Sequence, residues 1–138
     1  MAPYVNKKEV AKEAINKGIA EHKRWIAVAK ALAAGIKPDD DFILSPTECT
    51  FGQWFYSHGR DFSDLPIYEE LEDIHNAIHD LFLIFLKNKK EPAKQGFFQS
   101  KKSAESKKNE NLNAIIHKME ELVDLFASKL EEFEDANL

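Results

Sequence analysis

Apolar side chains recur at steps of three and four residues through most of this 138-residue chain. That spacing places them on one stripe of an α-helix, and glycine or proline interrupts the pattern where a stripe ends. The first stripe runs from about Tyr4 to Ala34 and stops at Gly35. Four such stripes with short connections predict an all-α fold, an antiparallel four-helix bundle.

The second predicted helix is short. Ser45 as N-cap, Pro46 at the first helical position and Glu48 completing a capping box predict where it starts. Cys49 then lies in its first turn, and Gly59 is predicted to end it as a left-handed cap.

The third and fourth helices follow from longer stripes. A third helix is predicted from about Pro66, with Pro92 and Gly96 marking its end. Heptad-like spacing predicts a long last helix over about 109–135. The polar stretch 99–111 has no internal glycine or proline, so a helical extension is favoured there over a mobile connection.

Length and charge limit the possible functions. A chain of 138 residues can bury one core but cannot form two lobes around a cleft, so one domain over 1–138 is predicted. Nineteen basic against twenty-four acidic residues give a net charge of −5, and no basic stripe with interleaved aromatic residues is present. Nucleic acid is therefore not an expected partner.

The sequence also argues against a membrane-inserted segment. The most apolar run, 78–86, is interrupted by His79 and Asp80 and is too short to cross a bilayer. No signal-peptide pattern opens the chain, and a lone cysteine cannot form an internal disulfide. We therefore expect a cytoplasmic location.

One cysteine and three histidines lie on or beside the apolar stripes. His75 and His79 are one turn apart and project from the same side of the third helix, whereas His22 lies on the first stripe. Any one of these histidines is more often an ordinary core residue than a ligand. Four unpartnered polar groups in one core would cost roughly 1–3 kcal/mol each. One shared Zn2+ removes that cost, so the sequence predicts zinc ligands at His22, Cys49, His75 and His79.

The residues that follow the cysteine suit a closed site. In the string Cys-Thr-Phe-Gly-Gln-Trp at 49–54, Gly52 is expected to let another helix approach closely. Phe51 and Trp54 are expected to wall the site against water. Ordinary core packing explains the same two aromatic residues equally well.

Other metal arrangements fit less well. A di-iron bundle needs repeated Glu-x-x-His pairs, and only Glu72 precedes His75 in this way. His58 lies about two and a half turns from Cys49, too far to share its ion, and is expected at the surface. His117 is expected at an edge or an interface.

The order His, Cys-x-Phe-Gly-x-Trp, His-x-x-x-His resembles the chemoreceptor zinc-binding (CZB) family, a bacterial signalling module. The resemblance covers about residues 15–87. It implies the same four ligands, and each position holds the expected residue: His22, Cys49, His75 and His79. Trp25, three residues after the first histidine, and the pair Leu65-Pro66 also fit the family.

The resemblance further implies a role in chemotaxis or in cyclic-di-GMP control. Such modules regulate chemoreceptors and diguanylate cyclases, form symmetric homodimers and accompany an output domain that this sequence lacks. A site with four protein ligands leaves no open position for catalysis, and no phosphate loop, nucleophile elbow or catalytic triad is recognisable, so no enzyme activity is expected.

Two sensing hypotheses and one structural alternative remain. The site would respond to zinc availability, or to oxidation of Cys49 by an oxidant such as hypochlorous acid, because a thiolate is the most oxidisable donor. In both cases the second helix, attached to the site only through Cys49, is the expected moving part. The alternative is a purely structural, zinc-stabilised dimerisation module.

Overall fold

The computed structural model describes residues 6–38 and 41–138, and these residues form helices joined by turns and irregular segments. No strand occurs in these ranges, so the predicted all-α class is confirmed. In chain order the elements are α1 (Lys7–Ala33), α2 (Thr50–Phe55), a 3-10 helix (His58–Phe62), α3 (Pro66–Lys90) and α4 (Lys101–Asn137).

Both ends of α1 follow from local chemistry. The Asn6 side chain accepts hydrogen bonds from the backbone N–H groups of Lys8 and Glu9, at 3.1 and 3.2 Å. It thereby satisfies two donors that a helix start leaves unpaired. At the other end Gly35 has φ +77°, a left-handed conformation that glycine adopts without strain. Gly35 therefore stops the helix as predicted, whereas the predicted start near Tyr4 lies outside the described residues.

The start of α2 differs from the prediction. Cys49, not Ser45, is its N-cap, and the Cys49 Sγ accepts a hydrogen bond from the Gly52 N–H at 3.3 Å. The Ser45 hydroxyl instead lies 2.9 Å from the Thr47 hydroxyl, within a turn that precedes the helix. Cys49 thus lies immediately before the first turn of α2 and not in it.

The end of α2 also differs. The helix stops at Phe55, and the Ser57 hydroxyl donates to the carbonyls of Gln53 and Trp54, at 2.5 and 3.2 Å. These bonds satisfy carbonyls at the helix end, so no left-handed glycine is needed there. Gly59 lies in the 3-10 helix without a positive φ, and its prediction as a left-handed cap was wrong.

The last two helices agree with the sequence pattern. Pro66 is the first residue of α3, which ends at Lys90, ahead of Pro92 and Gly96. Ser100 caps α4, since its side chain accepts from the Ser103 N–H at 3.1 Å. The polar stretch is helical from residue 101, which confirms the favoured extension.

Helix α4 runs antiparallel to α1. Lys30, near the end of α1, pairs with Glu120 of α4 at 3.1 Å. Lys7, at the start of α1, lines the same surface depression as Leu138 at the C-terminal end of the chain. The two helices therefore lie side by side in opposite directions.

Helix α4 is antiparallel to α3 as well. Glu70, in the first turns of α3, pairs with Lys129 near the end of α4 at 3.2 Å. At the other end the Lys108 ammonium donates to the carbonyls of Lys89 and Glu91, at 3.0 and 2.6 Å. Helices α1 and α3 consequently point in the same direction.

The fourth position of the bundle combines α2 with the irregular segment before it. Phe42 stacks on Phe82 with ring centroids 5.0 Å apart, and the Tyr68 hydroxyl donates to the Phe55 carbonyl at 2.8 Å. This part of the chain therefore runs opposite to α3. The up-down-up-down order confirms the antiparallel four-helix bundle.

Side chains from all four helices meet in one core. Its largest fully buried aromatic members are Trp25, Phe51, Phe55, Phe82, Phe85, Phe126 and Phe133. Three histidines, His22, His75 and His79, are buried among them. None of the described helices has the length and apolar character that crossing a membrane requires.

Candidate metal centre

The four residues predicted as zinc ligands meet at one point in the core. His22 comes from α1, Cys49 from the N-cap of α2, and His75 and His79 from successive turns of α3. One donor atom from each lies within 4.8 Å of the other three, and none of the residues is more than 1% exposed. Helix packing has therefore brought one sulfur and three nitrogens together.

Three of the separations between these atoms suit a single small cation. The His79 Nε2 lies 3.3 Å from the His22 Nε2 and 3.1 Å from the His75 Nε2, which is 3.2 Å from the Cys49 Sγ. A tetrahedral zinc ion places its nitrogen ligands about 3.3 Å apart and a nitrogen and a sulfur about 3.6 Å apart. These three separations are close to those values, and all the donor atoms lie within 4.8 Å of one another.

Backbone carbonyls fix the orientation of two imidazoles. The His22 Nδ1 lies 2.6 Å from the Gly18 carbonyl oxygen, and the His79 Nδ1 lies 2.9 Å from that of Leu44. A carbonyl only accepts, so each Nδ1 carries the proton and donates. The Nε2 lone pair of both rings is then directed into the cluster, as in histidines that bind a metal.

The third imidazole favours a cation at the centre of the cluster. The Nδ1 of His75 is buried and has no hydrogen-bond partner in the described part of the chain. If His75 carries its proton on Nε2, its Nδ1 is an unpaired buried acceptor. If the proton is on Nδ1, an unpaired donor results and three Nε2 lone pairs face one another. A cation among the three nitrogens and the sulfur removes that repulsion, and this donor set suits zinc.

Burial keeps the four groups neutral when no metal is bound. Desolvation lowers the pKa of His22 to about 4 and that of His75 to about 2, and it also lowers the pKa of His79. Desolvation raises the pKa of the Cys49 thiol to about 11, although the Gly52 N–H opposes this shift. The histidines are thus ready as ligands, and only the thiol must lose a proton.

Aromatic rings enclose the cluster. The Trp25 ring lies 4.8 Å from that of His22, the Phe51 ring 4.8 Å from that of His75, and the Phe126 ring 5.4 Å from that of His22. The predicted wall residue Trp54 packs on Phe51, Phe62 and Phe133, so it supports the wall from behind. Phe126 was not predicted for the site, because its stripe position looks like any other core position.

Two glycines allow close packing near the cluster. A Cβ on Gly18 would lie 2.8 Å from the Phe51 Cβ, so α1 and α2 approach each other at Gly18. A Cβ on Gly52 would lie 1.8 Å from the Pro46 carbonyl oxygen. The absence of a side chain at Gly52 thus lets the turn before α2 pack against it. The atoms nearest to such a Cβ belong to that turn and not to another helix, which corrects the prediction for Gly52.

Comparison of the sequence with known families identifies the same part of the chain as the metal cluster does. The sequence model of the chemoreceptor zinc-binding domain matches residues 22–82, a range that includes all four cluster residues. The chain contains a chemoreceptor zinc-binding (CZB) domain. Searches of curated proteins and of solved structures gave no match.

The family and the cluster agree on the general class of function. A CZB domain binds zinc and has a regulatory role rather than a catalytic one. The cluster of His22, Cys49, His75 and His79 supplies the donors that such a domain requires. The chain accordingly contains a zinc-binding signalling domain.

Glu21 is a part of the CZB site that the sequence did not indicate. Its carboxylate accepts hydrogen bonds from the Thr50 N–H at 3.1 Å and from the Thr50 hydroxyl at 2.9 Å. Thr50 follows Cys49 and opens α2, so Glu21 fastens the start of that helix to α1 beside His22. No spacing rule shows that a glutamate next to His22 faces a helix almost thirty residues further along the chain.

Replacing Glu21 by alanine should therefore loosen the start of α2. Bonds from a carboxylate to a helix start contribute about 1–2 kcal/mol, and we expect the free energy of unfolding in urea to fall by that amount. Glu13→Ala is the matched control, since Glu13 lies on α1 and pairs only with the exposed Lys17. Equal destabilisation by both substitutions would contradict this role for Glu21.

The buried histidines should make the metal-free domain sensitive to acid. Their pKa values in the folded state lie below the ordinary value of 6.5, so the unfolded chain binds more protons as the pH falls. The free energy of unfolding is therefore highest above pH 6.5. Below that pH it decreases by up to about 1.4 kcal/mol per pH unit for each histidine. Urea unfolding in a chelator between pH 4.5 and 8 would measure this slope. A flat profile would contradict the assigned burial.

The remaining candidates lie outside the cluster. Glu72, considered for a di-iron centre, lies beside the Tyr56 hydroxyl and contributes to raising its pKa. His58 is exposed, as expected from its distance along the chain. His117 is exposed on α4, where its Nε2 lies 3.1 Å from a Glu121 carboxylate oxygen.

Proposed function

We propose that this CZB domain is a sensory switch in bacterial signalling, controlled by zinc held on His22, Cys49, His75 and His79. The observation that carries this proposal is the convergence of four buried donors from three separate segments of the chain. When bound, zinc would cross-link those segments and keep the Cys49 sulfur as a thiolate. Any signal that changes its occupancy would then change how the segments are held.

The segment 41–49 is the part that we expect to respond. It is irregular, and the side chains of Ile43, Leu44, Thr47 and Glu48 are exposed. It nevertheless supplies two of the site contacts, the Cys49 Sγ and the Leu44 carbonyl. Helix α2 itself is held in the core by Phe51 and Phe55, so moving it would expose two aromatic rings. This assignment replaces the earlier hypothesis that the whole helix moves.

Zinc availability is the first proposed signal. The His79 Nε2 lies 3.3 Å from the His22 Nε2 and 3.1 Å from the His75 Nε2, so loss of zinc would leave nitrogen lone pairs directed at one another. Small displacements of segment 41–49 relieve that repulsion, because Leu44 and Cys49 move with it. Zinc binds more tightly when segment 41–49 holds Cys49 and Leu44 at the site than when the segment is displaced. It therefore shifts the population toward the first of these two states by the difference in affinity.

Oxidation of Cys49 is the second proposed signal. Burial raises the pKa of the free thiol to about 11, so the metal-free sulfur is protonated and reacts slowly. Coordination would supply the reactive thiolate. Hypochlorous acid would transfer its oxygen to that sulfur, giving a sulfenic acid and chloride. A sulfenic acid is a poorer zinc ligand, so segment 41–49 would be released.

The output of the switch is also proposed. Family resemblance favours a symmetric homodimer that acts on a chemoreceptor or a diguanylate cyclase. Leu83 and Ile84 on α3 are 48% and 45% exposed, and they provide apolar surface for a partner. The same surface suits the alternative function, in which zinc only stabilises a dimerisation module.

Hydrogen exchange tests the switch directly. Amide exchange in segment 41–49 should be slow with zinc, faster after chelation and faster after stoichiometric hypochlorous acid. Cys49→Ser should abolish the response to the oxidant. If zinc raises the melting temperature while exchange in 41–49 follows only global unfolding, the sensing proposal fails and the structural alternative is supported.

A further inference from the structure

The connection between α3 and α4 exposes two adjacent aromatic rings. Phe97 and Phe98 are each 96% exposed, and their ring centroids lie 4.8 Å apart. The other eight of the ten phenylalanines pack in the core or against it. A pair of almost completely exposed phenylalanines contributes nothing to folding and lowers solubility, so it indicates a surface that is covered by something else.

Lysines surround this pair. Residues 87–108 contain eight lysines and two glutamates, although the chain as a whole has a net charge of −5. Six of these lysines are exposed, and no carboxylate of the described residues lies within ion-pair distance of them. They are Lys87, Lys90, Lys94, Lys101, Lys102 and Lys107. These six lysines and the Phe97–Phe98 pair, here called the basic tip, thus concentrate positive charge that no described carboxylate pairs with.

Two of these lysines are placed where the fold disfavours them. Lys101 and Lys102 occupy the first turn of α4, and that turn has no acidic residue. The start of a helix carries partial positive charge, so cations there are unfavourable for stability. Lys101 and Lys102 oppose the helix dipole and bring no benefit to folding, which indicates that their positive charge has a function.

We propose that the basic tip docks on an anionic membrane surface. Adjacent rings on a loop can enter the interface between lipid headgroups and acyl chains without a matching groove, while lysines around them contact lipid phosphates. An acidic protein would need a cavity for both protruding rings. A second copy of the chain meeting tip to tip would bring like charges together.

This docking is separate from the metal site. Lys87 lies about 12 Å along α3 from His79 at 1.5 Å per residue, and the Phe97–Phe98 pair follows beyond the end of that helix. The proposal therefore does not rest on zinc sensing. It would place the CZB domain at a membrane surface, with the buried zinc site inside the bundle and away from the lipid.

Co-sedimentation of the full chain with vesicles tests the proposal. We expect binding to phosphatidylcholine vesicles that contain phosphatidylglycerol, weaker binding at high salt, and little binding to phosphatidylcholine alone. Replacing Phe97 and Phe98 by serine, or Lys101 and Lys102 by glutamate, should reduce the affinity by about tenfold or more. Leu125→Ser is the matched control, because Leu125 is an exposed apolar residue outside the tip.

The outcomes separate the possible occupants. No binding to anionic vesicles, equal binding to neutral ones, or full binding by the serine variant overturns the proposal. If the serine substitutions leave vesicle binding unchanged but convert a dimer to a monomer, the tip is instead an interface between copies. Circular dichroism and zinc content of each variant verify that the fold is retained.

Discussion

Cys49→Ala should lose most of its zinc, whereas the wild-type chain should purify with about one zinc ion per chain. The substitution removes the only sulfur of the cluster and leaves three imidazoles that cannot close a tetrahedral shell. Structural zinc contributes on the order of 10 kcal/mol to the folded state, so the variant should also melt at a much lower temperature. Elemental analysis and thermal melting with and without a chelator measure both effects.

Two further variants isolate the effect of the metal. Cys49 also caps α2, so Cys49→Ser retains an oxygen that can accept from the Gly52 N–H and separates loss of zinc from loss of the cap. His58→Ala changes an exposed histidine outside the cluster and should retain full zinc. No zinc in wild-type protein grown with zinc, or wild-type affinity in Cys49→Ala, would disprove the site.

Gly52→Ala should be the most damaging glycine substitution in the domain. Its new Cβ would lie 1.8 Å from the Pro46 carbonyl oxygen and 2.9 Å from the Pro46 carbonyl carbon, both of which are backbone atoms. The turn at 46–48 must therefore shift, and Cys49 shifts with it. We expect the free energy of unfolding to fall by about 3 kcal/mol, together with weaker zinc binding.

Gly96→Ala is the matched control for this substitution. Its Cβ would meet only the Gln99 side chain, at an ordinary contact distance of 3.6 Å, in the exposed connection between α3 and α4. Urea unfolding and a competitive zinc chelator should therefore show a near wild-type protein. Similar losses in both variants would show that Gly52 has no special role.

Long, regular patterns made the main helices predictable. The stripes of α1, α3 and α4 extend over many turns, so periodicity, glycine and proline located the end of α1 and both ends of α3 within a few residues. The stripe of α4 predicts a start about two turns after the helix begins, and only the absence of glycine and proline in the polar stretch indicated its first residues. The six-residue α2 is too short for periodicity to decide. The prediction of its start therefore relied on the capping residues from Ser45. In the fold the Cys49 sulfur takes the cap position and also faces His75.

The cluster was predictable for a chemical reason. Polar residues of zinc-binding types on apolar stripes need a common partner, and that requirement names His22, Cys49, His75 and His79 without any coordinates. Gly18, Glu21 and Phe126 were missed because their roles depend on which helix faces which, at distances of a few ångströms. Such information is absent from the spacing within one helix.

The contact between His79 and the Leu44 carbonyl has a consequence for how such domains diverge. The segment 41–48 supports the metal site through main-chain atoms, while the side chains of Ile43, Leu44, Thr47 and Glu48 face outward. Substitution of these four side chains would therefore leave every donor atom of the metal site unchanged. One inner chemistry can in this way be presented to different partners through surface side chains that change independently of it.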